Sequence, residues 1–162
     1  MTRDEDFLDL AEQVTAGIYR RALLITRDPH LAEDLTQETL TRLYVNFRRL
    51  RHDENPRGYA FTTLYRLAID RSRRRSSTEV PIGSLPENQS PERQDDLRLD
   101  LERALADLSP EMRALVVARY IDDIPVRQVA QMLNRTESWV RTNSSRALAR
   151  LRTSPALADV HH

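Results

Sequence analysis

Residues 123–152 read DIPVRQVAQMLNRTESWVRTNSSRALARLR, and the punctuation within this stretch decides the fold. Asp123 and Pro125 open a short helix ending at Leu133, because proline has its φ already set for a first helical turn and its missing N–H costs nothing there. Asn134 follows; asparagine is one of the few non-glycine residues that tolerates the left-handed conformation of a tight turn. Thr136 can then cap a last helix from Glu137 to about Arg152, its hydroxyl accepting from a first-turn N–H that no helical carbonyl reaches. Helix, short turn and a polar, arginine-bearing second helix make a helix-turn-helix signature.

Working outward, Ser109-Pro110 caps a helix running through Tyr120, and another covers roughly 99–107. At the N-terminal end, Phe7, Leu10, Ala11, Val14, Ile18, Ala22 and Ile25 recur at helical spacing over residues 5–26. Asp28-Pro29 starts a second helix to about Phe47, with Leu31, Leu35, Leu40, Leu43 and Tyr44 near one side. The polar stretch Arg48 to Arg57, holding Asn55-Pro56, reads as a loop. A third helix follows from Gly58 to about Arg75, with Phe61, Leu64, Tyr65, Ala68 and Ile69 inward. Residues 76–98 hold three of the 8 prolines and few apolar groups, too few to offset the entropy of ordering them. The expectation is an all-α chain of two small helical domains joined by a flexible acidic linker: 1–76, linker 77–98, 99–153 and a tail 154–162.

Composition agrees with helix. Of 162 residues 40% are hydrophobic and 31% charged, with only 3 glycines. There is no cysteine, which excludes disulfides, thiol nucleophiles and thiolate metal sites. The acidic start MTRDEDFLDLAEQ is no signal peptide, and no stretch approaches the ~18 apolar residues of a membrane span; a cytoplasmic protein is expected. His30 and His52 lie far apart with no third ligand in register, so no metal or other cofactor is expected. Net charge is zero but unevenly spread. Residues 1–40 hold four arginines against nine acids, residues 41–76 ten against three, and every basic residue is arginine. An acidic segment followed by a basic one suggests two different partners.

Three segments, in order, carry a resemblance: Ala32-Glu33-Asp34-Leu35-Thr36-Gln37-Glu38-Thr39; then Asn55-Pro56-Arg57-Gly58-Tyr59-Ala60-Phe61 with Leu67-Ala68-Ile69-Asp70-Arg71 and Arg73-Arg74-Arg75; then Leu108-Ser109-Pro110 with Arg119-Tyr120 before the helix-turn-helix. Together they resemble the extracytoplasmic-function group of the sigma-seventy family of bacterial RNA polymerase, over about residues 14–152. The resemblance implies a specificity subunit, not an enzyme. Its partners would be core polymerase (the clamp of the largest subunit, and the flap), promoter DNA and an inhibitory anti-sigma factor, with no membrane insertion.

By that resemblance Asp34, Gln37 and Glu38 would contact the polymerase clamp; their i, i+3, i+4 spacing puts them on one helix side. Arg48, Arg49, Arg51, Arg57, Tyr59, Arg66, Arg71 and Arg74 would hold the opened minus-ten element. Guanidinium groups suit phosphates, and aromatics suit unstacked bases. Phe61 and Tyr65, at i, i+4, read instead as core. In the last helix Arg141, Thr142, Asn143, Ser145 and Arg146 would face the major groove of the minus-thirty-five element, with Arg150 on phosphate.

Two residues depart from the family pattern. Ser144 stands where an apolar residue is usual, and Trp139 where a small one is. Trp139 either covers the gap at Ser144 or touches DNA, with core packing the preferred reading. Two other functions stay open on the residues alone: a stand-alone helix-turn-helix regulator, and a sigma-like interaction protein that titrates an inhibitor.

Overall fold

Thr2 starts the first helix, α1 (Arg3–Thr26), with a capping box: its hydroxyl accepts from Glu5 N at 3.2 Å while Glu5 Oε2 accepts from Thr2 N at 3.3 Å. This is a computed structural model, and it describes residues 2–53, 55–78, 100 and 103–153. α1 buries Phe7, Val14, Ile18, Ala22 and Ile25, the stripe that the apolar spacing predicts. Each large side chain so buried adds roughly 1.5–3 kcal/mol. The helix closes at Arg27, whose φ of 56° is left-handed.

Helix α2 (Pro29–Asp53) begins where Asp28-Pro29 places it. Asp28 Oδ1 accepts from His30 N at 3.0 Å and Leu31 N at 3.3 Å. It then runs six residues beyond Phe47, through most of the stretch expected to be loop. The reason is Leu50, buried three residues after Phe47: the inward stripe continues by one more turn although its neighbours are arginines. Phe7 of α1 meets Tyr44 and Phe47 of α2 edge-on, with ring centroids at 4.9 and 5.8 Å. Tyr44 itself is 42% exposed rather than inward, its hydroxyl donating to Asp4 Oδ1 at 3.2 Å.

Helix α3 (Pro56–Thr78) starts two residues earlier than Gly58. Asn55 is its cap, its Oδ1 accepting from Gly58 N at 3.0 Å. The cap explains the glycine: a Cβ there would lie 2.7 Å from Asn55 Nδ2. Leu64, Tyr65, Ala68 and Ile69 are buried, as the spacing predicts. α3 continues to Thr78, so it takes in the first two residues expected to be linker. The remainder of that linker and the 154–162 tail lie outside the described residues.

The chain divides into two units, Met1–Arg75 and Ser76–His162. In the second, residues 103–106 form a helical turn that buries Ala104 and Leu105. Ser109 then caps α4 (Pro110–Val116), accepting from Met112 N at 3.2 Å. The continuous α-helix expected through Tyr120 stops at Val116 and becomes a π-helical turn, Val117–Ile121. Arg119 fastens that turn by donating to Ile124 O at 2.9 Å. Asp123 does not cap the next helix: it takes φ 52°, and Pro125 occupies the cap position before α5 (Val126–Leu133). Asn134 adopts the expected left-handed turn at φ 55°, and Thr136 caps α6 (Glu137–Arg152) by accepting from Trp139 N at 3.0 Å. No strand occurs among the described residues, and no described helix is long and apolar enough to cross a membrane.

Candidate nucleic-acid interface

The acidic helix comes first. Asp34 and Gln37 are exposed on α2 one turn apart, an open polar face. Glu38 shares that side but is engaged: its Oε1 accepts from Arg42 at 3.2 Å and its Oε2 from Arg71 on α3 at 3.0 Å. With all three side chains partly exposed, each pair is worth at most about 1 kcal/mol. Its consequence is positional, since Glu38 and Arg71 are 33 residues apart.

That bridge divides the expected minus-ten set. Arg66 is exposed and Tyr59 half-buried; at i and i+7 they share a stripe of α3. Exposed Arg73 continues the stripe, and exposed Asp70 interrupts its charge. Arg71 stands roughly 140° around the helix from Arg66, turned to Glu38. Arg74 is exposed, as are Arg57 at the start of α3 and Arg48 and Arg49 near the end of α2. The Arg51 side chain lies outside the described residues. Tyr65 is fully buried. The Phe61 ring lies under Arg21 at 4.4 Å and against Gly17, where an added Cβ would come within 3.5 Å of it. Tyr65 is core, as its spacing suggests, whereas Phe61 is only half-buried.

On α6 the inward side is Val140, Ser144, Ala147 and Leu151. Arg141, Thr142, Ser145, Arg146 and Arg150 are all exposed. Asn143 is half-buried and donates through Nδ2 to Trp139 O at 2.9 Å. Arg141 pairs with Glu137 at 3.4 Å. Among the described residues no acid pairs with Arg146 or Arg150, which leaves two guanidinium groups one turn apart for an anionic backbone.

The two departures from pattern resolve separately. Ser144 is 4% exposed and its Oγ has no hydrogen-bond partner. Trp139 does not cover it, being roughly 140° away around the helix. The indole instead lies half-exposed beneath Arg135, whose guanidinium is 4.7 Å from the ring. Arg135 is itself held by Glu111, Nε to Oε1 at 3.0 Å and Nη2 to Oε2 at 3.1 Å. Those hydrogen bonds raise its pKa above the ordinary arginine value, so it stays charged. Glu111 and Arg135 escaped the sequence reading because 24 residues separate them, beyond any local pattern.

Comparison with known proteins matches both units. Residues 10–78 match sigma-70 region 2 and residues 104–153 match sigma-70 region 4. The chain is 28% identical to the ECF RNA polymerase sigma factor SigM of Bacillus subtilis, over 94% of each chain. It is 31% identical to the ECF RNA polymerase sigma factor SigL of Mycobacterium tuberculosis, over 88% of this chain and 85% of that one. Among solved structures it is similar in fold to the sigma factor RpoE of Bartonella quintana, determined with the anti-sigma factor NepR. That match has a TM-score of 0.62 and 21% identity, and covers 91% of this chain and 95% of the other.

Proposed function

The chain belongs to the sigma-70 family of RNA polymerase sigma factors, and from that premise we propose how its surfaces divide the work of promoter recognition. The protein is a regulatory subunit that binds core polymerase and promoter DNA for transcription initiation. Asp34 and Gln37 supply the polymerase-facing contact, with Glu38 anchoring that face to α3. Tyr59 and Arg66, with Arg48, Arg49, Arg51, Arg57, Arg71 and Arg74 around them, hold the opened minus-ten strand. Arg141, Thr142, Asn143, Ser145 and Arg146 read the minus-thirty-five element from the major groove, and Arg150 fixes register on phosphate. Each contact alone is modest. Polymerase holding both units at once makes the second binding step intramolecular, which multiplies their effect.

One observation carries this reading: an exposed acidic face and an exposed basic helix occur on separate units, each within its own family match. A stand-alone regulator would use residues 121–152 and leave the match over 10–78 without a purpose. The site of action is the cytoplasm, where polymerase works. An inhibitory partner covering these faces is expected, and the Bartonella relative was solved with one. Run-off transcription with core polymerase, with and without the chain, tests the proposal: promoter-dependent transcripts should require it. No transcript from any template, together with no binding to core polymerase, refutes it.

A further inference from the structure

We propose that Trp139 is a base-reading residue, placing its indole edge against the methyl group of a thymine in the minus-thirty-five element. The inference rests on the reading of α6 as the groove-entering helix. In such helices the first-turn side chains reach the base edges, and Trp139 is the third residue of α6. It heads the stripe that continues through Asn143, Arg146 and Arg150 at steps of three or four.

The ring is buttressed for contact. Arg135 covers one face at 4.7 Å, and Glu111 fixes Arg135 through two hydrogen bonds. A side chain with fewer open orientations loses less entropy on binding. With Asn134, Arg135 and Thr136 the indole lines an open recess of about 410 Å³ at the turn. The chemistry of this recess favours an apolar occupant over phosphate. Of its four lining residues only Arg135 is cationic, and it is already paired with Glu111. The thymine C5-methyl is the one apolar group the major groove offers. Tryptophan here offers a larger apolar edge to that methyl than a small residue would.

The test uses holoenzyme assembled from core polymerase and the full chain, transcribing a template pool randomised across the minus-thirty-five element. A thymine preference at one position should appear with the native chain and vanish in Trp139→Ala, while preferences at the other positions persist. Replacing that thymine by uracil removes only the methyl and should lower transcription about fourfold, the worth of one buried methyl. Trp139→Ala should be indifferent to this exchange, Trp139→Phe should keep part of the discrimination, and Arg135→Met should reduce it with polymerase binding unchanged. If the native holoenzyme ignores the methyl at every thymine, or Trp139→Ala loses activity equally on both templates, the proposal is overturned. The uracil arm uses native protein, so misfolding of a variant cannot imitate that result. Failure of the underlying reading is distinguishable, because Arg141→Ala and Arg146→Ala would then also leave every base preference unchanged.

Discussion

Replacing Ser144 by alanine should stabilise the second unit. Ser144 is 4% exposed on the inward side of α6, and its Oγ meets neither donor nor acceptor. A buried hydroxyl without a partner costs about 1–3 kcal/mol in lost hydration. Alanine adds roughly 0.5 kcal/mol of helix propensity. Against this stands the lost dispersion of one oxygen, about 0.5 kcal/mol when several contacts go. The balance is a gain of about 1–3 kcal/mol. Trp139 is the only tryptophan in the chain and lies on the same helix, so its fluorescence reports unfolding of this unit without interference from the other. With a urea slope of about 1 kcal/mol per molar for so small a unit, the midpoint should rise by about 1 M or more at unchanged slope. An unmoved or lower midpoint would mean that the hydroxyl finds a partner in solution, and the reasoning would fail.

Other outcomes follow from the same contacts. Asp34→Ala combined with Gln37→Ala should weaken co-purification with core polymerase at least severalfold, while Arg141→Ala leaves it intact and alters promoter choice. Asn55→Ala should remove the α3 cap on Gly58 N and cost about 1 kcal/mol, read as a lower thermal midpoint of the first unit. Arg150→Ala should reduce the slope of log affinity against log salt for holoenzyme–promoter binding by about one, whereas Trp139→Ala should leave that slope unchanged.

The parts legible in the sequence are those governed by neighbours along the chain. Asp28, Ser109 and Thr136 cap the helices they were expected to cap, and Asn134 takes the left-handed turn, because side chain and target amide lie within three residues. The extension of α2 past Phe47 was masked by its arginines: one buried residue, Leu50, continues the inward stripe among five polar neighbours. The π-helical turn at Val117–Ile121 has no local signature, since those residues would equally suit an α-helix. Site residues show the same split. Exposure of Asp34, Gln37, Arg66 and the α6 arginines follows from helical phase. The engagement of Glu38 by Arg71, and of Arg135 by Glu111, depends on tertiary approach across 33 and 24 residues.

The Glu38–Arg71 bridge has a thermodynamic corollary. It joins a carboxylate on the side of α2 proposed to face polymerase to a guanidinium on the helix proposed to hold single-stranded DNA. A ligand that draws Arg71 away leaves Glu38 with Arg42 alone, and one that draws Glu38 away takes this partner from Arg71, so the two proposed binding equilibria share a common term. Linkage then demands reciprocity: whatever factor polymerase docking contributes to strand capture, a captured strand must return to polymerase affinity. Promoters that engage Arg71 strongly would hold the subunit on polymerase longer, and those that do not would release it sooner.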